Sequence, residues 1–172
     1  AGGSNIVIGY QALDAADTGT AKDYNIAIGE GTLGGQTTDC SNCVAIGNLA
    51  LSVQNADVKN TAIGGLAGDA ITTSGGNTML GYTAGSALDT ASNGDENTAV
   101  GHGAMLASKG DSNVAVGYYA LSTAGDNDWN TCVGYKAGET LGGAPGNTLI
   151  GYKAGLAMTT GAYNVAIGFQ AA

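Results

Sequence analysis

Residues 130–138 read NTCVGYKAG and residues 147–155 read NTLIGYKAG, almost the same nine letters seventeen positions apart. The duplication extends along the whole chain. Its anchor is a glycine that recurs as Gly9, Gly29, Gly47, Gly64, Gly81, Gly101, Gly117, Gly134, Gly151 and Gly168, at steps of 16 to 20 residues. Asn stands four places before the glycine in nine of these copies; in the third, Cys43 takes that place and Asn42 lies one position earlier. Ala stands three places after the glycine in all copies but the second, which has Thr32. Ten copies of N-x-A-I/V-G-Y-x-A-L/G fill the chain, and a repeat of this period indicates a solenoid or a related array.

All length variation falls between the Ala and the next Asn, in turn-forming stretches such as TTSGG, STAGDNDW and GGAPG. Insertions confined to one place imply a fixed strand and corner plus one variable loop. The residues flanking the middle of each N-x-A-I-G segment are mostly β-branched, which favours strand over helix. The spacing predicts a strand of four residues per copy, a glycine that turns the chain through a positive φ or a close backbone approach, and a ladder of Asn side chains between coils. The expected fold is all-β: a parallel β-solenoid, or β-roll, of about ten coils of 16–20 residues, spanning residues 1–172 as one array. At the ~4.8 Å strand spacing, ten coils give a rod of roughly 45–50 Å.

Four places after the glycine the residue is either large (Leu13, Leu33, Leu51, Met105, Leu121) or Gly (Gly68, Gly85, Gly138, Gly155). Each copy of the Gly kind carries a large apolar residue three places later: Ile71, Leu88, Leu141 and Met158. The other copies have Ala16, Gln36, Gln54, Ser108 and Ala124 there. The pattern predicts one interior slot filled by either of two routes, since packed interiors leave few voids.

Both faces of the strand are apolar. One carries the Ile/Val column before the glycine, expected to point inward; the other carries Val7, Ala27, Ala45, Ala62, Met79, Ala99, Ala115, Cys132, Leu149 and Ala166. A strand apolar on both faces is covered on both, and so thin a coil cannot supply both covers. The second cover is expected to be another copy of the chain, with Ala27, Ala62, Met79, Ala99, Ala115, Cys132, Leu149 and Ala166 at the interface of a parallel homotrimer.

Composition limits the functions open to this chain. It has 31 Gly among 172 residues, 6% aromatics and a net charge of −9 carried against only five basic residues. It lacks the basic face that nucleic acid or anionic lipid requires, and no run is long enough to insert in a membrane as an apolar helix. No leader opens the chain and neither end reads as a cap, so it is expected to be a segment of a longer fibre protein.

No constellation points to catalysis, to a metal or to a cofactor. His102 is the single histidine and occupies the corner position where other copies have Tyr. Cys40 and Cys43 form a C-x-x-C without a second pair; they read as thiols, and a local bridge between them requires a tight turn. Cys132 reads as a small buried apolar residue. Asp95–Glu96 and Asp126 with Asp128 read as solvated loop charge rather than a calcium site. Tyr10, Tyr82, Tyr118, Tyr135, Tyr152 and Phe169 follow the glycine and read as a packing ladder at a corner, with sugar stacking as the alternative. An outward Thr column (Thr61, Thr78, Thr98, Thr131, Thr148) would suit an ice-binding face, but Ile6 and Val114 interrupt it. A polysaccharide-degrading solenoid would need clustered carboxylates, and here they are scattered.

The alternation N-[ST]-[VA]-[AV]-[IV]-G resembles two related groups. NCVAIG at 42–47 is similar to the hexapeptide of the left-handed parallel β-roll in YadA-like trimeric autotransporter adhesin heads. IGYQAL at 8–13 and GLAMTTGAYNVAIG at 155–168 resemble the NTAIGYQAL arrays of bacteriophage tail fibres. The coils here are longer than those of the adhesin heads. The resemblance implies a homotrimeric, extracellular, non-enzymatic virion fibre for host attachment. Its partners would be itself and a host cell-surface receptor, a glycan among the candidates. The alternative it implies is a bacterial adhesin head that binds host matrix or other cells.

Overall fold

The computed structural model describes residues 3–14, 22–35, 40–56, 58–88, 94–123 and 125–172. The chain forms ten strands: β1 Ile6–Ile8, β2 Ile26–Ile28, β3 Val44–Ile46, β4 Thr61–Ile63, β5 Thr78–Leu80, β6 Thr98–Val100, β7 Val114–Val116, β8 Thr131–Val133, β9 Thr148–Ile150 and β10 Val165–Ile167. No helix occurs among the described residues. The strands make one parallel sheet in chain order, β1 to β10. Each strand has three residues, one fewer than the repeat suggested, because the Asn before it lies in the ladder described below. Like positions pair throughout, so Ala99 stands over Ala115 and Val100 over Val116. Nine steps of ~4.8 Å separate β1 from β10 by about 43 Å.

The corner glycine both takes a positive φ and approaches the next coil closely. At Gly101, φ is +129° and an added Cβ would lie 2.5 Å from the carbonyl oxygen of Gly117. The same stacking recurs from coil to coil, which explains why no copy replaces this residue.

The orientation of the strand is the reverse of the expected one. Ala27, Ala62, Met79, Ala99, Ala115, Cys132 and Leu149 are fully buried within the chain's own coil, and Ala166 nearly so. Val7 alone of that column is exposed. The Ile/Val column faces out: Ile63 is 36% and Leu80 46% exposed, and Ile28, Ile46, Val100, Val116 and Val133 are half-buried. The reason is volume. The inner strand face takes Ala in most coils, and it takes Met79 and Leu149 where the facing slot residue is Gly68, Gly85, Gly138 or Gly155. The proposed interface residues Ala27, Ala62, Met79, Ala99, Ala115, Cys132, Leu149 and Ala166 are therefore core residues of the single chain and are not open to a subunit contact.

Two further columns complete the core. The Ala after the corner is buried from Ala50 to Ala154, and Thr32 replaces it in one coil by donating its hydroxyl to Gly29 O at 3.1 Å. Leu33, Leu51, Met105 and Leu121 are buried from the first route, and Ile71, Leu88 and Leu141 from the second. Leu13 and Met158 pack against the same cluster while partly exposed. The two routes converge: a Cβ on Gly68 would lie 3.0 Å from Leu51 Cδ2 and 3.1 Å from Ile71 Cδ1. Ala16, Gln36 and Ala124 lie outside the described residues.

The first-route position also has a left-handed backbone in every coil. φ is between +49° and +53° at Leu13, Leu33, Leu51, Met105 and Leu121, and +58° to +64° at Gly68, Gly85, Gly138 and Gly155. A β-branched side chain is a true outlier at such φ, which accounts for Leu, Met and Gly here and never Ile or Val. Ile71 enters the slot from three residues further on.

The Asn column forms a buried ladder. Asn97 Oδ1 accepts the backbone N–H of Asn113, Asn113 Oδ1 that of Asn130, and Asn130 Oδ1 that of Asn147, at 2.8–2.9 Å. The amide nitrogen of Asn113 donates to Asn127 O at 2.7 Å, tying the strand to its own loop. The ladder is modified only at the third coil, where Cys43 N–H donates to Asn25 Oδ1 at 2.9 Å but Cys43 offers no oxygen in return. Asn60 N–H turns instead to Val58 O at 3.0 Å.

Candidate interaction surface

The outer sheet face presents two columns, because residues two apart point the same way. One runs through Thr61, Thr78, Thr98, Val114, Thr131 and Thr148. The other runs through Ile63, Leu80, Val100, Val116, Val133 and Ile150. The in-register pairing makes each column continuous along the rod. The result is a continuous strip of methyl groups and Thr hydroxyls on the outer face, and soluble monomers seldom expose a contiguous apolar strip of this kind.

Beside this face, one glycine further along, runs an aromatic column. Tyr118, Tyr135, Tyr152 and Phe169 stack with centroids 5.0–5.3 Å apart and planes within 9° of parallel. His102 continues the column, 5.2 Å from Tyr118 and 5.3 Å from Tyr82, so the corner reading of His102 holds. Tyr119 packs on the same rings, 4.6 Å from Tyr118. Tyr10 belongs to the same column in sequence, but Glu30, Asn48 and Gly65 interrupt it before Tyr82. Lys153 Nζ lies 5.3 Å from the Tyr152 centroid, a cation–π distance. Lys136 Nζ bonds Glu139 at 2.8 Å, and that hydrogen bond raises the ammonium pKa above its usual value. The rings cover one another's faces. A sugar beside the column would therefore meet ring edges and hydroxyls, not a stacking platform.

Four of the loop aspartates serve the backbone. Asp95 Oδ1 accepts Gly75 N–H at 2.6 Å, Asp111 Oδ1 accepts Gly94 N–H at 2.6 Å, and Asp128 Oδ1 accepts Asp111 N–H at 2.9 Å. This second ladder stands two places before the Asn, and Asp23 uses the same place toward Gly3. The D-x-N spacing was its signal, hidden among coils with Val58, Gly75 or Pro145 there. Sequence reading also missed Asn127, fully buried, whose amide donates to Leu141 O at 2.8 Å and accepts Ala144 N–H at 2.5 Å. Among the described residues, no three His, Cys, Asp or Glu side chains form a group that could hold a metal ion.

Cys132 is fully buried in the Ala column, and desolvation pushes its thiol up to about 12. Cys40 and Cys43 are buried too, with their sulfurs 2.8 Å apart. Gln54, at the position where the Leu/Met copies carry no large apolar residue, is fully buried and donates to both sulfurs, at 2.8 and 3.0 Å. Among the described residues no helix is long and apolar enough to cross a membrane.

Comparison of the chain with protein-family models, with curated proteins and with solved structures finds no match in any of the three.

Proposed function

We propose that this chain is a shaft segment of a non-enzymatic attachment fibre, of the bacteriophage tail-fibre type, that works outside the cell as a parallel homotrimer. The observation that carries the reading is the outer sheet face: a water-facing strip of Val, Ile, Leu and Thr that runs through the whole array without a charge. Such a strip gains stability when a second surface of the same kind covers it. Strips that repeat once per coil match one another along their length, and a parallel arrangement keeps equivalent coils level. The repeat resemblance supplies the threefold number. Acidic loops at the periphery keep such an assembly soluble.

The implied external partner is a host cell-surface receptor, protein or glycan. The hydroxyl rim of Tyr118, Tyr135 and Tyr152 is the polar face the shaft would offer it. Sedimentation equilibrium tests the assembly: three chain masses, stable on dilution, are expected, and a monomer at micromolar concentration would refute the shaft reading.

A further inference from the structure

We infer that Cys40 and Cys43 form a disulfide that locks the third coil at the one rung where the Asn ladder lacks its amide. The inference stands on the turn that holds the two residues and is independent of the fibre reading.

Residues three apart in an extended chain cannot bridge. Here the chain is turned: Asn42 has φ +62°, and Asn42 N–H donates to Asp23 O at 3.1 Å. One side chain of the preceding coil clamps both ends of the motif. Asn25 Nδ2 donates to Cys40 O at 2.7 Å, and Asn25 Oδ1 accepts Cys43 N–H at 2.9 Å. From the other side Gln54 Nε2 donates to both sulfurs. The clamps bring the sulfurs to 2.8 Å, well inside the nonbonded contact distance of two sulfur atoms. A covalent bond of about 2.05 Å requires less than 1 Å of further approach.

The hydrogen bonds around Val58 O are compatible with the oxidised form. As a thiol, Cys43 reaches Val58 O at 3.0 Å. That carbonyl also accepts Asn60 N–H at 3.0 Å and Gln54 Nε2 at 3.2 Å. Losing the S–H leaves that carbonyl with the Asn60 N–H as its donor. Oxidation also replaces two thiols crowded to 2.8 Å by a single bond.

The chemistry is a thiol–disulfide exchange. Cys40 and Cys43 each lose a hydrogen, one S–S bond forms between them, and a small-molecule disulfide such as oxidised glutathione is cleaved to two thiols. Both sulfurs are buried in the folded coil, so exchange takes place while that coil is open.

The test is a thiol count. The full chain is refolded from denaturant in a glutathione redox buffer, unfolded again without reductant and treated with N-ethylmaleimide. The expected result is a single adduct, at Cys132, and three after reduction, with the peptide containing residues 40–43 two hydrogens lighter before reduction. Three adducts before reduction would overturn the proposal. So would a glutathione adduct retained on Cys40 or Cys43, or a bridge from either residue to Cys132. In Cys132→Ser the count is expected to be none before reduction and two after; two before reduction would overturn it equally.

Discussion

At the scale of the residue, two demands on the backbone explain most of the repeat. The corner glycine combines a forbidden conformation with a forbidden approach, whereas Gly143 has only the first: its φ is +73° and an added Cβ meets nothing within 4 Å. Gly101→Ala is therefore expected to destabilise the array by roughly 3 kcal/mol or more, and Gly143→Ala by about 1. Thermal melts of the two variants check the contrast. The slot position makes a different demand. Leu121 sits at φ +51° and is fully buried. Leu121→Val removes one methylene but places a β-branched side chain in the left-handed region. It is expected to cost ~2–4 kcal/mol, well above the ~1 kcal/mol of the methylene alone. Equal stability of Leu121→Val and Leu121→Met in denaturant titrations would contradict this. Cys132 adds a pH dependence. Its folded thiol titrates at about 12 against an ordinary 9.0, so the folded state holds the proton more tightly. That stability is complete below pH 9 and declines as pH rises toward 12. Cys132→Ala should flatten the alkaline decline of the melting temperature.

At the scale of the element, the strand is short and its neighbours supply what it lacks. Three residues cannot hold a strand in place, but outside the third coil the Asn before the strand ties it to its neighbours, as Asn113 is bonded to Asn97 on one side and Asn130 on the other. Asn113→Ala would leave the buried Asn130 N–H and Asn127 O without these partners. It is expected to cost ~2–4 kcal/mol, and hydrogen exchange should show the Asn130 amide losing protection before distant rungs do. The ladder, the strand positions and the glycine corner were legible because each recurs at fixed offsets from one anchor. The inner and outer faces were not. Alternation says that Ala99 and Val100 point oppositely, but with both columns apolar nothing in the pattern says which is inside. The inner column is the one that holds Ala in most coils, with Met79 and Leu149 admitted where a slot Gly faces them. The left-handed slot was visible only as a choice between Leu, Met and Gly, whose cause is a φ angle. The Asp ladder was masked because only some coils carry it.

At the scale of the whole molecule, the reversed faces separate two outcomes that the opposite orientation would have merged. Val100→Asp with Val116→Asp changes the outer strip alone, and is expected to yield folded, unassembled chains by circular dichroism and sedimentation. Ala99→Asp with Ala115→Asp buries two unpaired carboxylates in the coil and is expected to unfold it locally, with a loss of several kcal/mol. If the outer pair leaves the assembly intact, the strip is not the subunit contact. The in-register pairing of like positions has a further result. Asn130 and Asn147 occupy the same place in successive coils, and the residues after each are Thr131 and Thr148. Excising residues 131–147 would splice Asn130 onto Thr148 with every column preserved, so the rod changes size only in whole quanta of one rung. A chain built this way gains or loses span by whole coils without passing through intermediate, mispaired lengths. The near-duplicate at 130–138 and 147–155 is the kind of seam where such a change of length would fall.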